Sequence, residues 1–220
     1  MEPNVYLPPH FAAKDPEHAR EIVTSHPFAS LISNDDEGLP FVTHLPLHLE
    51  PPASGEEGGE ASPWVLLGHM ARANPHWRYL QARPTAVVTF VGPHAYMSPR
   101  VYPDLVRVPT WNYLAVHGTV QATLIEEPLA KDRLLKKLIG DQDPAYAPQW
   151  MGLGTDYQHK MLAGIVAFEL RVTRLQTKIK INQHRPESHV RMREVYAAGN
   201  DHDRALGEWM DKLGLNGPQE

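Results

Sequence analysis

Residues 68–75, GHMARANP, combine groups that could hold a phosphate. Arg72 offers a planar fork of donors, and His69 and Asn74 add neutral donors. Asn74-Pro75 is also a typical helix start, and the free amides at a helix N-terminus favour an anion. A simple helix cap beside a surface arginine would account for the same letters. The segment by itself therefore leaves both interpretations open.

Two later segments, GPHAYMSP at 92–99 and VPTWNY at 108–113, combine turn residues with aromatic and polar side chains. Tyr96, Trp111 and Tyr113 could flank a flat ring, while Thr110 and Asn112 bond to its polar edge. The alternative is a barrel rim that is aromatic by chance. Together with residues 68–75, these segments predict a site for an anionic, aromatic ligand.

Other common chemistries find no support in the sequence. No GxSxG, GxxxxGK[ST] or HExxH pattern occurs, and no GxGxxG follows a strand, which argues against the usual serine hydrolases, P-loop enzymes and dinucleotide dehydrogenases. Of the 13 histidines, His44 and His48 share a predicted strand face, but no carboxylate or third His lies at a diagnostic spacing, so we predict no metal site. His69, His94 or His117 could bind haem, but no spacing supports it.

Composition bounds the class of protein. The chain has 220 residues, no cysteine and a formal net charge of -5. We expect a single domain over residues 1–220, no disulfides and a cytoplasmic location. No leader and no apolar stretch long enough for a membrane span is visible, so we expect no membrane association.

One segment is basic, although the chain as a whole carries a net negative charge. Residues 171–193 contain seven Lys or Arg and one acid, a surplus that could attract the phosphates of DNA. The alternative is a solvated basic face.

Sequence patterns predict the secondary structure. Asp15-Pro16 indicates a helix ending near residue 25, followed by a hairpin with strands at 28–33 and 39–50. The acidic, Gly- and Pro-rich residues 51–63 predict a mobile loop. Further strands are predicted at 64–68, 85–92, 111–125 and 164–176, and helices after Asn74-Pro75 and at 128–139, 186–198 and 201–213. Residues 140–154 look irregular, and a helical turn is expected to follow them. The fold class predicted is mainly β (α+β), a small barrel with peripheral helices.

Six motifs together resemble the PaiB-like family of FMN-binding transcriptional regulators: VYLPPHF, HPFASLIS, GHMARANPHW, FVGPHAYMSP, VPTWNY and KIKINQHRP. The resemblance runs from about Val5 to Arg193. It implies an FMN-binding split β-barrel of the flavin-reductase and pyridoxamine-phosphate-oxidase kind, built as a homodimer with FMN between the protomers.

The resemblance also implies which residues bind FMN. His69, Arg72 and Asn74 become phosphate contacts, with Met70 beside them, and Thr110, Trp111 and Asn112 become the flavin-proximal set. Tyr96 and Ser98 line the same groove. Lys178, Lys180, Gln183 and Arg185 could add charge near the cofactor or across the dimer.

Two departures from the family pattern bear on cofactor affinity. Val101 stands where the family has an aromatic residue after Ser-Pro, and Asn182-Gln183-His184 replaces the usual Ser-Gln-Asn.

The function predicted is an FMN-binding regulator or sensor of the PaiB type, with DNA or a regulatory protein as a further partner. An FMN-dependent oxidoreductase is the alternative, since the same fold hosts enzymes. Haem binding or breakdown on a related barrel is a lesser one.

Overall fold

A computed structural model describes residues 5–50, 64–104 and 106–217. The predicted mobile loop at 51–63 lies outside the described residues. Cα positions group the chain into two compact units, which are described separately. The terminal unit comprises the described residues of Met1–His26, Val91–Val116 and Gln176–Glu220, and the central unit comprises Pro27–Phe90 and His117–Leu175. The single domain over 1–220 stays a prediction.

Seven strands and seven α-helices are present in the described ranges. The strands are β1 Phe28–Asn34, β2 Pro40–Pro46, β3 His48–Leu49, β4 Val65–Ala71, β5 Thr85–Met97, β6 Thr110–Ile125 and β7 Ile165–Lys180. The helices are α1 Pro16–Ser25, α2 His76–Ala82, α3 Pro128–Gln142, α4 Ala147–Gly152, α5 Thr155–Ala163, α6 His189–Ala197 and α7 Asp201–Lys212. None of the helices in these ranges is long and apolar enough to cross a membrane.

Helix α1 begins where the sequence predicts. The Asp15 carboxylate accepts a hydrogen bond from the backbone N–H of Glu17 at 2.9 Å, and Pro16 occupies the first helical position. The apolar stripe of the helix is buried, as its spacing requires: Ala19, Ile22 and Val23.

The strands form one sheet in the order β2-β1-β5-β6-β7-β4-β3. The predicted hairpin of β1 and β2 is confirmed, but the single strand predicted over 39–50 is wrong. In the hairpin register Phe28, the first residue of β1, faces Pro46, so β2 has no partner strand beyond that point. The chain then turns to pair His48 with Leu67 of β4, which makes β3 a separate strand.

Strand β5 is longer than predicted. Gly92 and Pro93, expected to form a turn, lie inside the strand, which continues to Met97. A methyl group on Gly92 would meet Leu114 Cβ at 3.3 Å and Ile22 at 3.5 Å, so close packing in the terminal unit accounts for this glycine.

Helical content was underestimated around residues 140–163. The stretch predicted to be irregular contains a turn of 3-10 helix at Pro144–Tyr146 and helix α4, and α5 follows it. The short and polar character of these helices weakens the periodic signal on which the prediction relied. The two C-terminal helices are confirmed as α6 and α7, the latter starting with an Asn200 and Asp203 capping box.

Candidate functional site

Two aromatic rings lie on the outer face of the terminal unit, where β5 ends and β6 begins. Tyr96 and Trp111 are 53% and 54% exposed, and their ring centroids are 6.2 Å apart in an edge-to-face arrangement. His94 extends the group, with its ring 6.3 Å from that of Trp111. Large exposed aromatic side chains in contact are typical of a ligand or partner surface.

The same face carries two lysines beside Tyr113, which follows Trp111 on that side of β6 because side chains alternate along a strand. The Nζ atoms of Lys178 and Lys180 lie 5.3 Å and 5.9 Å from the centre of the Tyr113 ring. Lys178 is only 7% exposed and donates to the backbone carbonyl of Tyr6 at 2.8 Å. Lys180 donates to the Thr110 hydroxyl.

Neither lysine has a carboxylate partner within ion-pair distance in the described part of the chain. Burial lowers the pKa of Lys180, the neighbouring Tyr113 raises it, and the charge on Lys178 lowers it again. Two partly desolvated ammonium groups with no carboxylate are a favourable place for a bound anion.

We call this surface the aromatic–lysine face, defined as Tyr96, Trp111, Tyr113, Lys178 and Lys180. It offers rings for a flat aromatic group and positive charge for a phosphate, so its residues fit the chemistry of FMN. The structure therefore brings together the predicted residues Tyr96, Thr110, Trp111 and Lys178. Tyr6 was not predicted; its only sequence signal was its place in the VYLPPHF motif.

Asn112 takes a different position from Trp111. Its side chain is fully buried, and Nδ2 donates to the Tyr196 hydroxyl at 2.7 Å and to Met97 Sδ at 3.4 Å. Burial raises the pKa of Tyr196 to about 12. The Asn112 Oδ1 atom has no hydrogen-bond partner among the described groups. Asn112 thus lies behind the face, where it anchors α6 to the sheet within this unit.

The remaining predicted residues of the terminal unit make local contacts. Ser98 Oγ accepts from the backbone N–H of Arg100 at 3.3 Å. Gln183 donates to the Ile179 carbonyl at 2.6 Å and accepts from the Ile181 amide at 3.0 Å. Arg185 Nη1 lies 3.9 Å from a Glu187 carboxylate oxygen.

In the central unit, His69 and Met70 point to opposite sides of β4. Met70 is buried in the core, whereas His69 is partly exposed. His69 Nδ1 is nevertheless buried without a partner among the described groups, and burial lowers the pKa of the imidazole. His69 is therefore a neutral ring with one unsatisfied nitrogen, which suits a ligand that can hydrogen-bond to it.

Arg72 and Asn74 are already engaged within the central unit. Arg72 donates through Nε to the Ala163 carbonyl at 3.0 Å and through Nη2 to the Ile165 carbonyl at 3.2 Å. Asn74 accepts from the backbone N–H of His76, the first residue of α2, at 3.0 Å, and donates to the Thr43 hydroxyl at 3.0 Å. The predicted phosphate contacts of His69, Arg72 and Asn74 stay predictions.

The basic segment 171–193 is divided between the two units. Several of its charges are neutralised locally: Arg171 lies 3.6 Å from Glu169, and Arg193 pairs with Asp211. Arg191 is directed to the carbonyls of Arg100 and Tyr102. No group of three or more His, Asp or Glu side chains with metal-binding geometry occurs in residues 5–50, 64–104 and 106–217.

Comparison with known proteins places these observations in a family. Residues 5–174 match the family model described as "Putative FMN-binding domain". The chain is 31% identical over 187 residues to the protease synthase and sporulation protein PAI 2 of Bacillus subtilis, covering 84% of each chain. An uncharacterised protein of Emericella nidulans is 27% identical over 173 residues, covering 64% of this chain and 68% of its own.

Solved structures share the fold at low sequence identity. The flavocytochrome Anf3 of Azotobacter vinelandii superposes with a TM-score of 0.61 at 17% identity, covering 78% of this chain and 70% of its own. An FAD and heme binding protein of Mycobacterium smegmatis gives a TM-score of 0.58 at 16% identity, covering 76% and 72%. These likenesses confirm the predicted split β-barrel fold.

Proposed function

We propose that this chain, which belongs to the FMN-binding domain family, is a cytoplasmic, FMN-binding regulator or sensor that acts as a homodimer. The match to the family model and the similarity to the Bacillus subtilis relative confirm the predicted family and its cofactor, FMN. The regulatory role, the dimer and the location are our proposals.

The observation that carries the proposal is the aromatic–lysine face. FMN joins a flat tricyclic ring to a phosphate, and this face presents exposed rings next to two lysines that lack carboxylate partners. Trp111 and Tyr96 would contact the ring system, and Lys180 and Lys178 would hold the phosphate. When bound, FMN supplies reversible redox chemistry, which a sensor can use as its input.

The residues around the face would orient the cofactor and exclude water from it. Thr110 fixes the Lys180 ammonium by accepting its hydrogen bond, and the Tyr6 carbonyl does the same for Lys178. Both ammonium groups are thus held before a ligand arrives, which lowers the entropic cost of binding.

Exposed apolar side chains near the face support the homodimer. Val106, Val108 and Trp111 are all more than half exposed within a few residues of one another. Exposed apolar side chains of this kind favour a protein partner, and a second protomer would cover them and enclose the flavin.

The regulatory role is supported by the Bacillus subtilis relative, whose name refers to protease synthesis and sporulation. DNA contact by the chain itself would depend on the 171–193 segment, whose local ion pairs reduce the charge available to phosphates. We therefore propose that a regulatory protein partner takes part in any effect on transcription. A mobility shift with DNA at low salt that disappears steeply as salt is added would instead favour direct binding.

The decisive experiment is spectroscopic. Purified protein is titrated with FMN, and we expect the flavin absorbance to shift and its fluorescence to be quenched with saturation at one FMN per protomer. Analytical ultracentrifugation of the same sample should give a dimer. Unchanged flavin spectra throughout the titration would refute FMN binding, and a monomer at every concentration would refute the dimer.

Two further additions separate the alternatives. Bleaching of the flavin band on anaerobic mixing with NADH or NADPH would favour the oxidoreductase over the regulator. A Soret band on titration with haem, lost when His94 is changed, would favour the haem-binding alternative; His94 is the ring next to Trp111.

A further inference from the structure

The central unit contains a pocket with a volume of about 430 Å³, and none of the residues of the aromatic–lysine face lines it. It is bordered by the first turn of α3, the C-terminal turn of α5 and the residue after β4. Its lining residues are Arg72, Pro128, Lys131, His159, Leu162 and Ala163. The volume falls in the range typical of small-molecule sites.

Lys131 is the informative residue of this pocket. It is only 6% exposed, and its ammonium group makes no hydrogen bond within the described ranges. The only carboxylate there within 4 Å of its Nζ is that of Glu126, at 3.9 Å on a side chain that is 67% exposed. A buried ammonium with one distant, solvated partner is costly, and a closer anion would offset that cost.

Arg72 supplies a second positive charge, and its position is fixed. Its Nε and Nη2 atoms donate to carbonyls at the end of α5 and the start of β7, and its guanidinium lies 5.9 Å from the Trp77 ring. The charge therefore stays at the pocket while only part of its donor capacity is used. His159, on α5, adds a ring that can donate a further hydrogen bond.

The rest of the lining is apolar, from Pro128, Leu162 and Ala163. We propose that this pocket binds a small organic carboxylate with an apolar body, its carboxylate on Lys131 and its hydrocarbon part against these side chains. Such an effector would give the regulator a chemical input separate from its flavin. Aliphatic and aromatic carboxylic acids both combine a carboxylate with an apolar body in this way.

Calorimetric titration of the full-length, FMN-saturated protein with decanoate and, separately, with benzoate tests the proposal. We expect saturable binding of at least one acid, and the acid that binds shows whether the pocket takes an aliphatic or an aromatic carboxylate. Lys131→Met keeps the length of the side chain and removes the charge, and should weaken binding about 10-fold or more. The matched control is Arg133→Met, an exposed cation on the same helix, which should leave the affinity within about 2-fold.

Ala163→Leu provides an independent variant, because the added bulk enters the pocket while the backbone carbonyl that Arg72 uses is kept. It should abolish binding of the acid and leave the FMN titration unchanged. Absence of binding by both acids at millimolar concentration would overturn the proposal, as would full affinity in both Lys131→Met and Ala163→Leu. Binding only in the absence of FMN would assign the pocket to the flavin instead.

Discussion

Thr43 Oγ1 and His76 Nδ1 are joined by a 2.7 Å hydrogen bond that begins a partly buried chain of polar groups in the central unit. Asn74 Nδ2 donates to the Thr43 hydroxyl at 3.0 Å, and His76 Nε2 lies 2.9 Å from Ser33 Oγ. Every group is satisfied when Thr43 donates to Nδ1 and His76 carries its proton on Nε2. The network therefore holds a neutral imidazole and anchors the start of α2 to β1 and β2.

We expect the stability of the protein to fall in mild acid because of His76. Burial lowers its pKa from 6.5 to about 4, so the folded state resists protonation while the unfolded chain accepts it. The contribution of the neutral imidazole to the free energy of unfolding is complete above pH 6.5 and is lost as pH falls towards 4. The total loss is roughly 3 kcal/mol. Urea unfolding at pH 7.5, 5.5 and 4.5 measures it.

His76→Gln isolates this contribution from other histidines, of which His26, His69 and His184 also have lowered pKa values. The variant should lose less stability between pH 7.5 and 4.5 than the parent protein. Equal losses in the two proteins would show that His76 does not resist protonation.

Thr43→Val should destabilise the protein by about 1–3 kcal/mol, because it leaves His76 Nδ1 and Asn74 Nδ2 without partners. Thr85→Val is the matched control: its hydroxyl accepts from Gln121 at the exposed surface, and its loss should cost about 0.5 kcal/mol or less. Denaturant midpoints give both values. The network has no special role if the two variants are equally stable.

Trp111→Ala should weaken FMN binding about 3- to 10-fold by removing an exposed ring from the aromatic–lysine face. Phe28→Ala removes another exposed aromatic ring, in the central unit, and should leave the affinity unchanged. Fluorescence titration with FMN compares the two. A normal affinity in the Trp111 variant would place the flavin elsewhere.

Lys180→Met should weaken FMN binding about 10-fold or more, because one charge-assisted contact to the phosphate is lost. Riboflavin has the same ring without the phosphate, so its affinity should change little in the variant. Lys160→Met, an exposed lysine on α5, serves as the control. A parallel loss of riboflavin binding would mean that Lys180 shapes the face and does not contact the phosphate.

Asn182 has a backbone φ of 61°, the left-handed region, and its amide donates to Tyr102 at 3.0 Å and to Ser188 at 2.7 Å. Asn182→Ala and Asn182→Gly both remove these bonds, but only alanine adds backbone strain. We expect the alanine variant to be less stable than the glycine variant by about 1 kcal/mol, measured by denaturant unfolding. Equal stabilities would contradict the strain.

Local signals account for the parts of the fold that the sequence predicted well. An Asx-Pro pair satisfies a helix start with its own side chain and ring geometry, so α1 and α2 could be located without knowledge of any partner. The end of β2 could not be predicted, because it depends on pairing with β1, whose first residue lies opposite Pro46.

The sequence by itself determined most of the elements, the family and the kind of ligand, since motifs and periodicity are properties of neighbouring residues. Only the tertiary structure decided which side chains share a surface. It brought Lys178 and Lys180 over Tyr113, some 65 residues earlier in the chain, and turned Asn112 inward to Tyr196. The physical reason is that strand pairing and burial are set by contacts between distant segments, which no local pattern encodes.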